Sequence, residues 1–160
     1  MIIAHVITCL NDGGAEAVLY RLCSADTRNT HVVISLQDEG KYGPLLITKG
    51  ITVYCLDATR SFLVLYYFFR LLCLIKKIRP DVVQTWLCHA SFLGGSAARI
   101  LGIKNICWGI HNTDLINGDI RQSTAWIIRL NALLSRWVPK HIVSCSDKGV
   151  DIHTSLGYAE

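Results

Sequence analysis

The sequence predicts an α/β fold with a doubly wound, mostly parallel sheet of the Rossmann-like type. Apolar runs of strand length alternate with stretches of helical periodicity, which is the pattern of repeated βαβ units. Hydrophobic residues make up 51% of the 160-residue chain and charged residues only 18%, so both faces of the sheet are expected to be covered. A chain of this length forms one domain and buries its core without a disulfide or a structural metal.

Six apolar runs are predicted to form the strands. Their apolar character is what a strand covered on both faces requires. They cover residues 2–9, 31–36, 52–56, 81–86, 105–110 and 141–145.

The first strand leads into a glycine turn, residues 11–16, that opens a helix. The adjacent Gly13 and Gly14 let backbone N–H groups approach an anion closely, and the positive end of the helix dipole points at the same place. This geometry suits a phosphate. The alternative interpretation is structural: Gly13 caps the helix and Glu16, three residues on, accepts the free N–H groups as in a capping box.

Helical spacing of apolar residues predicts three of the helices between the strands. The apolar face of the first is formed by Ala15, Val18, Leu19, Leu22 and Cys23. Its other face carries Glu16, Tyr20, Arg21 and Ser24. A second helix, ended by Gly102, aligns Leu93, Ala97, Ala98 and Leu101. A third, ended by Pro139, aligns Trp126, Leu130, Leu133, Leu134 and Trp137.

The segment 62–78 is the most apolar of the chain and is predicted to form a helix that Pro80 stops. It is too short to span a membrane, because Arg70 interrupts it and a bilayer requires roughly 20 apolar residues. The face that suits burial on the sheet consists of Leu65, Phe68, Leu72 and Ile75. The opposite stripe consists of Tyr66, Arg70, Cys73 and Lys77, with Lys76 and Arg79 nearby. Two interpretations stay open: the stripe rests on anionic lipid headgroups, or the protein packs on both sides of the helix.

Charge and cysteine content restrict the function classes. The net charge of +4 is too small and too scattered to indicate nucleic-acid binding, though it favours an anionic membrane or a phosphorylated ligand. None of the seven cysteines forms a C-x-x-C pair, and all fall in apolar runs, which indicates buried, reduced thiols of a cytoplasmic protein. No signal peptide is found. No pair of His, Cys or carboxylate residues has metal-ligand spacing, so we predict no metal site.

Four predicted strands end in polar or glycine residues. In an open parallel sheet, ligands bind beyond the carboxyl ends of the strands, near the point where the strand order reverses. The four strand ends lead into residues 11–14, 88–91, 111–114 and 144–147. They predict a rim of glycine, hydroxyl, amide and imidazole groups that suits a sugar or a phosphate, with Trp86 and Trp108 as wall or stacking residues.

Two histidines of this rim are candidates for function. His111 lies in a polar run without apolar periodicity, so a role in the core is not indicated. His89 also follows a strand, where a histidine more often satisfies a neighbouring backbone group than takes part in chemistry. The remaining histidines are scattered along strand or helix edges, at His5, His31, His141 and His153.

Four segments of the chain resemble the N-terminal domain of family 4 glycosyltransferases. They are Gly13-Gly14-Ala15-Glu16, Arg79-Pro80-Asp81-Val82-Val83-Gln84-Thr85-Trp86, Trp108-Gly109-Ile110-His111-Asn112, and Ser146 with His153 and Leu156-Gly157-Tyr158. The resemblance spans nearly the whole chain. It implies the N-terminal, acceptor-side half of a GT-B architecture, in which two Rossmann-like domains face each other across a cleft. It also implies transfer of a sugar from a nucleotide-sugar to a glycan, lipid-linked or small-molecule acceptor, with retention of configuration.

The same resemblance implies roles for individual residues. His111 resembles the active-site histidine beside the transferred sugar, where a neutral imidazole hydrogen-bonds a sugar hydroxyl and acts by positioning and electrostatics. The turn with Gly13, Gly14 and Glu16 resembles one that approaches the donor phosphates or the acceptor. The residues implied to line the acceptor side are Trp86, His89, Asn112 and Asp114. No metal and no other cofactor is expected, and the nucleotide-sugar is a substrate.

The family's basic phosphate clamp and paired glutamates, which belong to a second, nucleotide-sugar-binding domain, are not found in residues 1–160. We therefore expect a fragment or truncation that transfers no sugar alone and that lies in the cytoplasm or at the inner face of the cell membrane. One alternative is a non-catalytic domain that docks on a membrane or a partner through the 62–78 helix. Another is a nicotinamide-dependent enzyme with Asp38 as the ribose-binding acid. The fingerprint G-x-G-x-x-G of such enzymes is not present, because Gly13 and Gly14 are adjacent and no third glycine follows in that helix.

Overall fold

The structure is a computed structural model that describes residues 1–58, 63–111 and 122–159. Its strands are β1 Ile2–Ile7, β2 Thr30–Ser35, β3 Thr52–Cys55, β4 Val82–Trp86, β5 Ile106–Ile110 and β6 His141–Ser144. They form one sheet in the order β3-β2-β1-β4-β5-β6, and every pairing between neighbours is parallel. The strand order reverses between β1 and β4, so the predicted doubly wound parallel sheet is confirmed.

Helices connect the strands and cover the sheet. They are α1 Gly14–Ala25, α2 Tyr42–Thr48, α3 Val64–Ile78, α4 Cys88–Ala90, α5 Ser96–Ile100, α6 Gln122–Leu134 and α7 Asp147–Ser155. A π-helical turn, Ser91–Gly95, joins α4 to α5. The six predicted strands are all present, each within two residues of the predicted ends.

Alternation along the strands separates two hydrophobic cores. On one side of the sheet, Ala4 and Val6 of β1 pack with residues of α3, α5 and α6. On the other side, Ile7 packs with residues of α1 and α2. Because successive side chains of a strand point to opposite faces, His5 lies on the same side as Ile7, and it is fully buried.

The sheet contact of α3 matches the predicted face except at Leu65, because Phe68, Leu72 and Ile75 all pack against the core. Leu71 and Ile75 are buried against the sheet, whereas Leu65 is 66% exposed. At about 100° per residue, Leu65 lies about 120° around the helix from Leu71, so it points away from the sheet. The predicted outer stripe is exposed at Tyr66, Arg70, Cys73 and Lys77. Among the described residues, this stripe is not buried by another element of the chain.

The apolar face predicted for the third helix is the exposed face of α6. Its exposed members are Trp126, Leu130, Leu133 and Trp137. The buried side consists of Ile128, Asn131 and Ala132. This side faces the core because Ala132 is small and Asn131 Nδ2 donates a hydrogen bond to the Cys88 carbonyl at 2.8 Å. The helix ends at Leu134, before it reaches Pro139.

The cysteines are free thiols, but they are not all buried as predicted. Cys23 is buried, whereas Cys73 and Cys145 are exposed. Cys73 lies on the outer stripe of α3, and Cys145 follows the edge strand β6, so neither reaches a core. Among the described residues, no helix is both long and apolar enough to cross a membrane.

Candidate functional site

The carboxyl edge of the sheet at the switch point carries three of the predicted segments. β1 leads to the glycine turn, β4 leads to His89, and β5 leads to His111. In the parallel register, Ile7 lies beside Trp86 and Trp86 lies beside Gly109. Residues that are far apart along the chain therefore meet at one edge, as the sequence predicts.

The glycine turn leaves the N-terminus of α1 open. Gly13 is the N-cap, has an extended backbone, and provides no side-chain hydrogen bond to the helix. The hydrogen bond that Glu16 makes is with Cys9, not with the backbone of the turn, so the capping-box interpretation is wrong for the described residues. An added side chain at Gly13 would collide with the Glu16 carboxylate, whereas one at Gly14 would meet nothing within 4 Å. Free N–H groups and open space at Gly14 leave room for an anion.

Glu16 is buried, although the helical pattern predicts it on the polar face. The side chain is only 6% exposed, lies under Gly13, and accepts a hydrogen bond from Cys9 Sγ at 3.6 Å. The buried line of α1 runs through Ala15, Leu19 and Cys23, and the predicted members Val18 and Leu22 are exposed. This orientation of α1 brings Glu16 under the strand ends instead of into solvent.

The imidazole of His111 is held by ring stacking, and no described residue hydrogen-bonds it. Its ring lies on the indole of Trp86, with ring centroids 4.9 Å apart and an angle of 15° between the planes. A Cβ added at Gly109 would lie 3.2 Å from His111 Nε2 and 3.0 Å from the Thr85 carbonyl oxygen. The absence of a side chain at position 109 therefore gives the His111 ring its place against β5.

Burial sets the protonation of the two candidate histidines. It lowers the pKa of His111 below the usual value, and the negative charge of Glu16 partly opposes this shift. Burial also lowers the pKa of His89. Both imidazoles are therefore neutral near pH 7, and each can donate one hydrogen bond and accept another. A hydroxyl group is a partner that satisfies both kinds of bond.

His89 opens into a different cavity from His111. His89 lines a cavity of about 250 Å³ with residues of α3 and α6, and its Nδ1 lies 3.3 Å from Cys88 Sγ. His111 lines a much smaller cavity beside β5, together with Asn131. His89 and His111 therefore line separate cavities, and Glu16 lies near enough to His111 for its charge to influence the pKa of that imidazole.

Neither tryptophan of the predicted rim has an open face. Trp86 is 2% exposed and Trp108 is 1% exposed. Trp86 supports His111 from beneath, so neither indole is free to stack on a ligand. Asn112 and Asp114 lie outside the described residues, and their acceptor contacts stay predictions.

The last of the four family-like segments, which contains Ser146, His153 and Tyr158, makes contacts that hold α7 in place. Ser146 caps α7, because its Oγ accepts a hydrogen bond from the Gly149 N–H at 3.1 Å. His153 is buried, its Nδ1 lies 2.9 Å from the Gly149 carbonyl oxygen, and its ring packs edge-on against Tyr158. These contacts fix α7 beside the small cavity that His111 lines.

Sequence patterns did not predict a buried polar cluster behind Trp86. His5 Nε2 and His31 Nδ1 are 2.9 Å apart, and Trp86 Nε1 donates to His5 Nδ1 at 3.3 Å. His31 Nε2 lies 3.3 Å from Asp26 Oδ2, and Cys23 Sγ lies within 4.8 Å of one nitrogen of each imidazole. The alternation along β1 was the one available signal, because it puts His5 on a buried face.

Comparison with known proteins gives a family and a fold. The family model described as Glycosyltransferase Family 4 matches residues 12–160. No curated protein sequence matches the chain.

Three solved structures have the same fold as this chain. Anabaena Alr3699/HepE in complex with UDP has a TM-score of 0.80 at 18% identity, over 99% of this chain and 42% of that one. The apo form of the lipopolysaccharide outer core galactosyltransferase WaaB has a TM-score of 0.67 at 15% identity, over 99% of this chain and 43% of that one. Acinetobacter baumannii MurG has a TM-score of 0.60 at 23% identity, over 91% of this chain and 41% of that one. The chain thus spans about two fifths of the length of these proteins, and at these identities the similarity establishes the fold.

Proposed function

The chain belongs to glycosyltransferase family 4, and from this premise we propose that it is the acceptor-side domain of an enzyme that transfers a sugar from a nucleotide-sugar. The observation that carries the proposal is the grouping of His111, Glu16 and the open turn at Gly14 on one edge of the sheet. In this proposal a second domain holds the donor, and the acceptor is a glycan, a lipid-linked sugar or a small molecule. The sugar is transferred with retention of configuration.

His111 is the residue proposed to contact the transferred sugar. A neutral imidazole donates to or accepts from a sugar hydroxyl without adding a charge, and burial keeps the imidazole neutral. The ring is fixed on Trp86, so the hydrogen bond would be oriented before the substrate arrives. Its contribution would be positioning and electrostatic support of the transition state.

The N-terminus of α1 is proposed to contact a negatively charged group of a substrate. The helix dipole and the free N–H groups of the first turn favour an anion, and nothing fills the space at Gly14. A nucleotide-sugar carries phosphates of this kind, and HepE was crystallised with UDP. No metal is needed in this scheme, so we expect EDTA to leave transfer unchanged.

The test compares the chain alone with the chain followed by a family 4 nucleotide-sugar-binding domain. We expect no release of UDP from UDP-glucose by residues 1–160 alone, and release when the second domain is joined. Turnover by residues 1–160 alone would contradict this expectation. The configuration of the product, followed by NMR, tests retention.

In the joined protein, His111→Ala is expected to lower kcat on the order of 100-fold, because the hydrogen bond to the reacting sugar is lost. The KM for the donor should change little. His141→Ala is the matched control, since His141 is an exposed histidine at the start of β6, at the opposite end of a strand from the site. Wild-type kcat in the His111 variant would refute the proposed role.

A second candidate function is docking on an anionic membrane through α3. The observation that favours it is the exposed stripe of Tyr66, Arg70, Cys73 and Lys77. Flotation with vesicles of anionic lipid should decrease when Lys76, Lys77 and Arg79 are changed to Gln. Arg70 is left unchanged because its Nη1 donates to the Leu56 carbonyl. A control variant with Arg28, Lys49 and Lys104 changed to Gln removes the same charge from other parts of the surface. An equal loss of vesicle binding in both variants would refute specific docking through the α3 stripe.

A further inference from the structure

A chain of polar groups runs from Asp26, just after α1, to the indole that supports His111. Two of its contacts are hydrogen bonds, Trp86 Nε1 to His5 Nδ1 at 3.3 Å and His5 Nε2 to His31 Nδ1 at 2.9 Å. At its outer end, His31 Nε2 lies 3.3 Å from Asp26 Oδ2, an electrostatic contact without hydrogen-bond geometry. The chain crosses three adjacent strands, β2, β1 and β4. His5 is fully buried, His31 is 7% exposed and Trp86 is 2% exposed, so water does not compete for the two hydrogen bonds of His5, whereas the Asp26 end is open to solvent.

The chemistry of the groups gives this chain one direction. An indole N–H can only donate, so His5 Nδ1 must accept from Trp86. A neutral His5 then carries its proton on Nε2 and donates it to His31 Nδ1. His31 in turn carries its proton on Nε2, which faces the Asp26 carboxylate. Each nitrogen thus has a single role, and the proton positions of both imidazoles follow from one donor.

The protonation of His5 agrees with this direction. Burial, together with the neighbouring His31, lowers the pKa of His5 to about 3. His5 is therefore neutral at any pH at which the protein would work, as the chain requires. The two imidazoles lie side by side, with centroids 5.2 Å apart and planes at 23°, which is the nearly coplanar arrangement that an N–H···N hydrogen bond between ring nitrogens requires.

We propose that this hydrogen-bond chain fixes the indole on which His111 stacks, so that His5 and His31 are positioning residues for the candidate site. No described residue hydrogen-bonds His111, and the plane of its ring is set by Trp86. Trp86 itself has one polar atom, and the chain anchors it. The consequence for sugar transfer rests on the proposed function, but the hydrogen-bond chain itself can be tested without any substrate.

The same residues do not form a metal site, although Cys23 completes a set with His5 and His31. A metal on His5 Nε2 would leave the proton on Nδ1, where it would face the N–H of Trp86. Two donors would then oppose each other, and the link to Trp86 would break. Burial and the nearby Asp26 also raise the pKa of the Cys23 thiol to about 12, so the thiolate that a metal requires is disfavoured.

The direct test is an NMR measurement of imidazole protonation in the ¹⁵N-labelled chain. We expect both His5 and His31 to carry the proton on Nε2, with His5 unchanged between pH 8 and pH 5. A proton on Nδ1 of His5, or titration of His5 near its usual value, would overturn the inference. Addition of Co²⁺ should produce no thiolate absorption band; such a band would also overturn it.

Substitutions then test whether the chain acts on His111. His5→Leu removes both links, so the Trp86 indole N–H should exchange with solvent on the order of tenfold faster, and the ring signals of His111 should shift. His5→Asn keeps an acceptor near the place of Nδ1 and should restore most of the wild-type spectrum. Cys23→Ala is the matched control, because Cys23 adjoins the cluster without being a link. Unmoved His111 signals in His5→Leu, or equal movement in Cys23→Ala, would refute the positioning role.

If His5→Leu fails to fold, His31→Gln and the wild-type protonation measurement answer the same question. In the two-domain protein, His5→Leu should lower kcat on the order of tenfold and leave the KM for the donor unchanged. A folded His5→Leu with normal kcat, where His111→Ala is impaired, would overturn positioning alone. Normal kcat in His111→Ala would instead overturn the proposed function. The NMR measurement would then decide alone whether the hydrogen-bond chain orients Trp86.

Discussion

Gly109→Ala is the substitution that tests most directly how the fold makes room for the candidate site. Position 109 lies in β5 between β4 and β6. The added Cβ would lie 3.0 Å from the Thr85 carbonyl oxygen and 3.2 Å from His111 Nε2. The carbonyl belongs to the neighbouring strand and cannot move alone, so we expect the His111 ring to be displaced from Trp86.

The magnitude follows from the two close contacts. Forcing a methyl group into a packed position costs on the order of 1–3 kcal/mol. For a domain of this size each kcal/mol lowers the Tm by about 2–4 °C. We therefore expect Gly109→Ala to unfold several degrees below the wild type, with the ring signals of His111 shifted.

The assay is thermal and urea unfolding followed by circular dichroism, combined with NMR of His111. Gly14→Ala is the matched control, because the same methyl group there meets nothing within 4 Å. It should leave stability unchanged or raise it by up to about 1 kcal/mol. Equal stability of the Gly109 variant and the wild type, with unmoved His111 signals, would refute the packing argument.

Three other predictions follow from named contacts. Glu16→Gln should lower the pKa of His111 further, because the carboxylate favours the charged imidazole; an NMR titration that shows no decrease would contradict this. Stability should fall as the pH decreases from about 6.5 towards 3, because histidine in the unfolded chain is protonated near pH 6.5 whereas His5 in the folded protein stays neutral to about pH 3. The midpoints of urea unfolding should decrease over this pH range, and the decrease should be smaller in His5→Asn. Asn131→Leu should cost about 1–3 kcal/mol in urea unfolding, because the part-buried Cys88 carbonyl loses its donor; an unchanged midpoint would argue against that bond.

Local sequence patterns were sufficient to locate the six strands along the chain. The central strands are covered on both faces, so their residues form apolar runs that can be recognised without knowing the neighbouring strands. The rule that ligands bind beyond the carboxyl ends of parallel strands then directed attention to His111 and the glycine turn. The structure brings these two to one edge.

Helix faces were harder to predict. α6 has apolar residues on two sides, and the pattern could not tell that Trp126 and Trp137 would be exposed while Asn131 is buried. The choice depends on which side fits the sheet and finds a hydrogen-bond partner, and that partner is the Cys88 carbonyl. Glu16 was misplaced for the same reason, since the orientation of α1 is set by its packing on the sheet.

The strands, the glycine turn before α1 and the position of His111 at a strand end could be predicted from the sequence, because they depend on residues that are neighbours along the chain. The surroundings of His111 and of the turn could not be predicted, because they depend on contacts between distant segments. His5 and His31 are 26 positions apart, and His5 and Trp86 are 81 apart. Contacts of this kind exist only after the crossovers have set the register of three strands, so no local pattern encodes them.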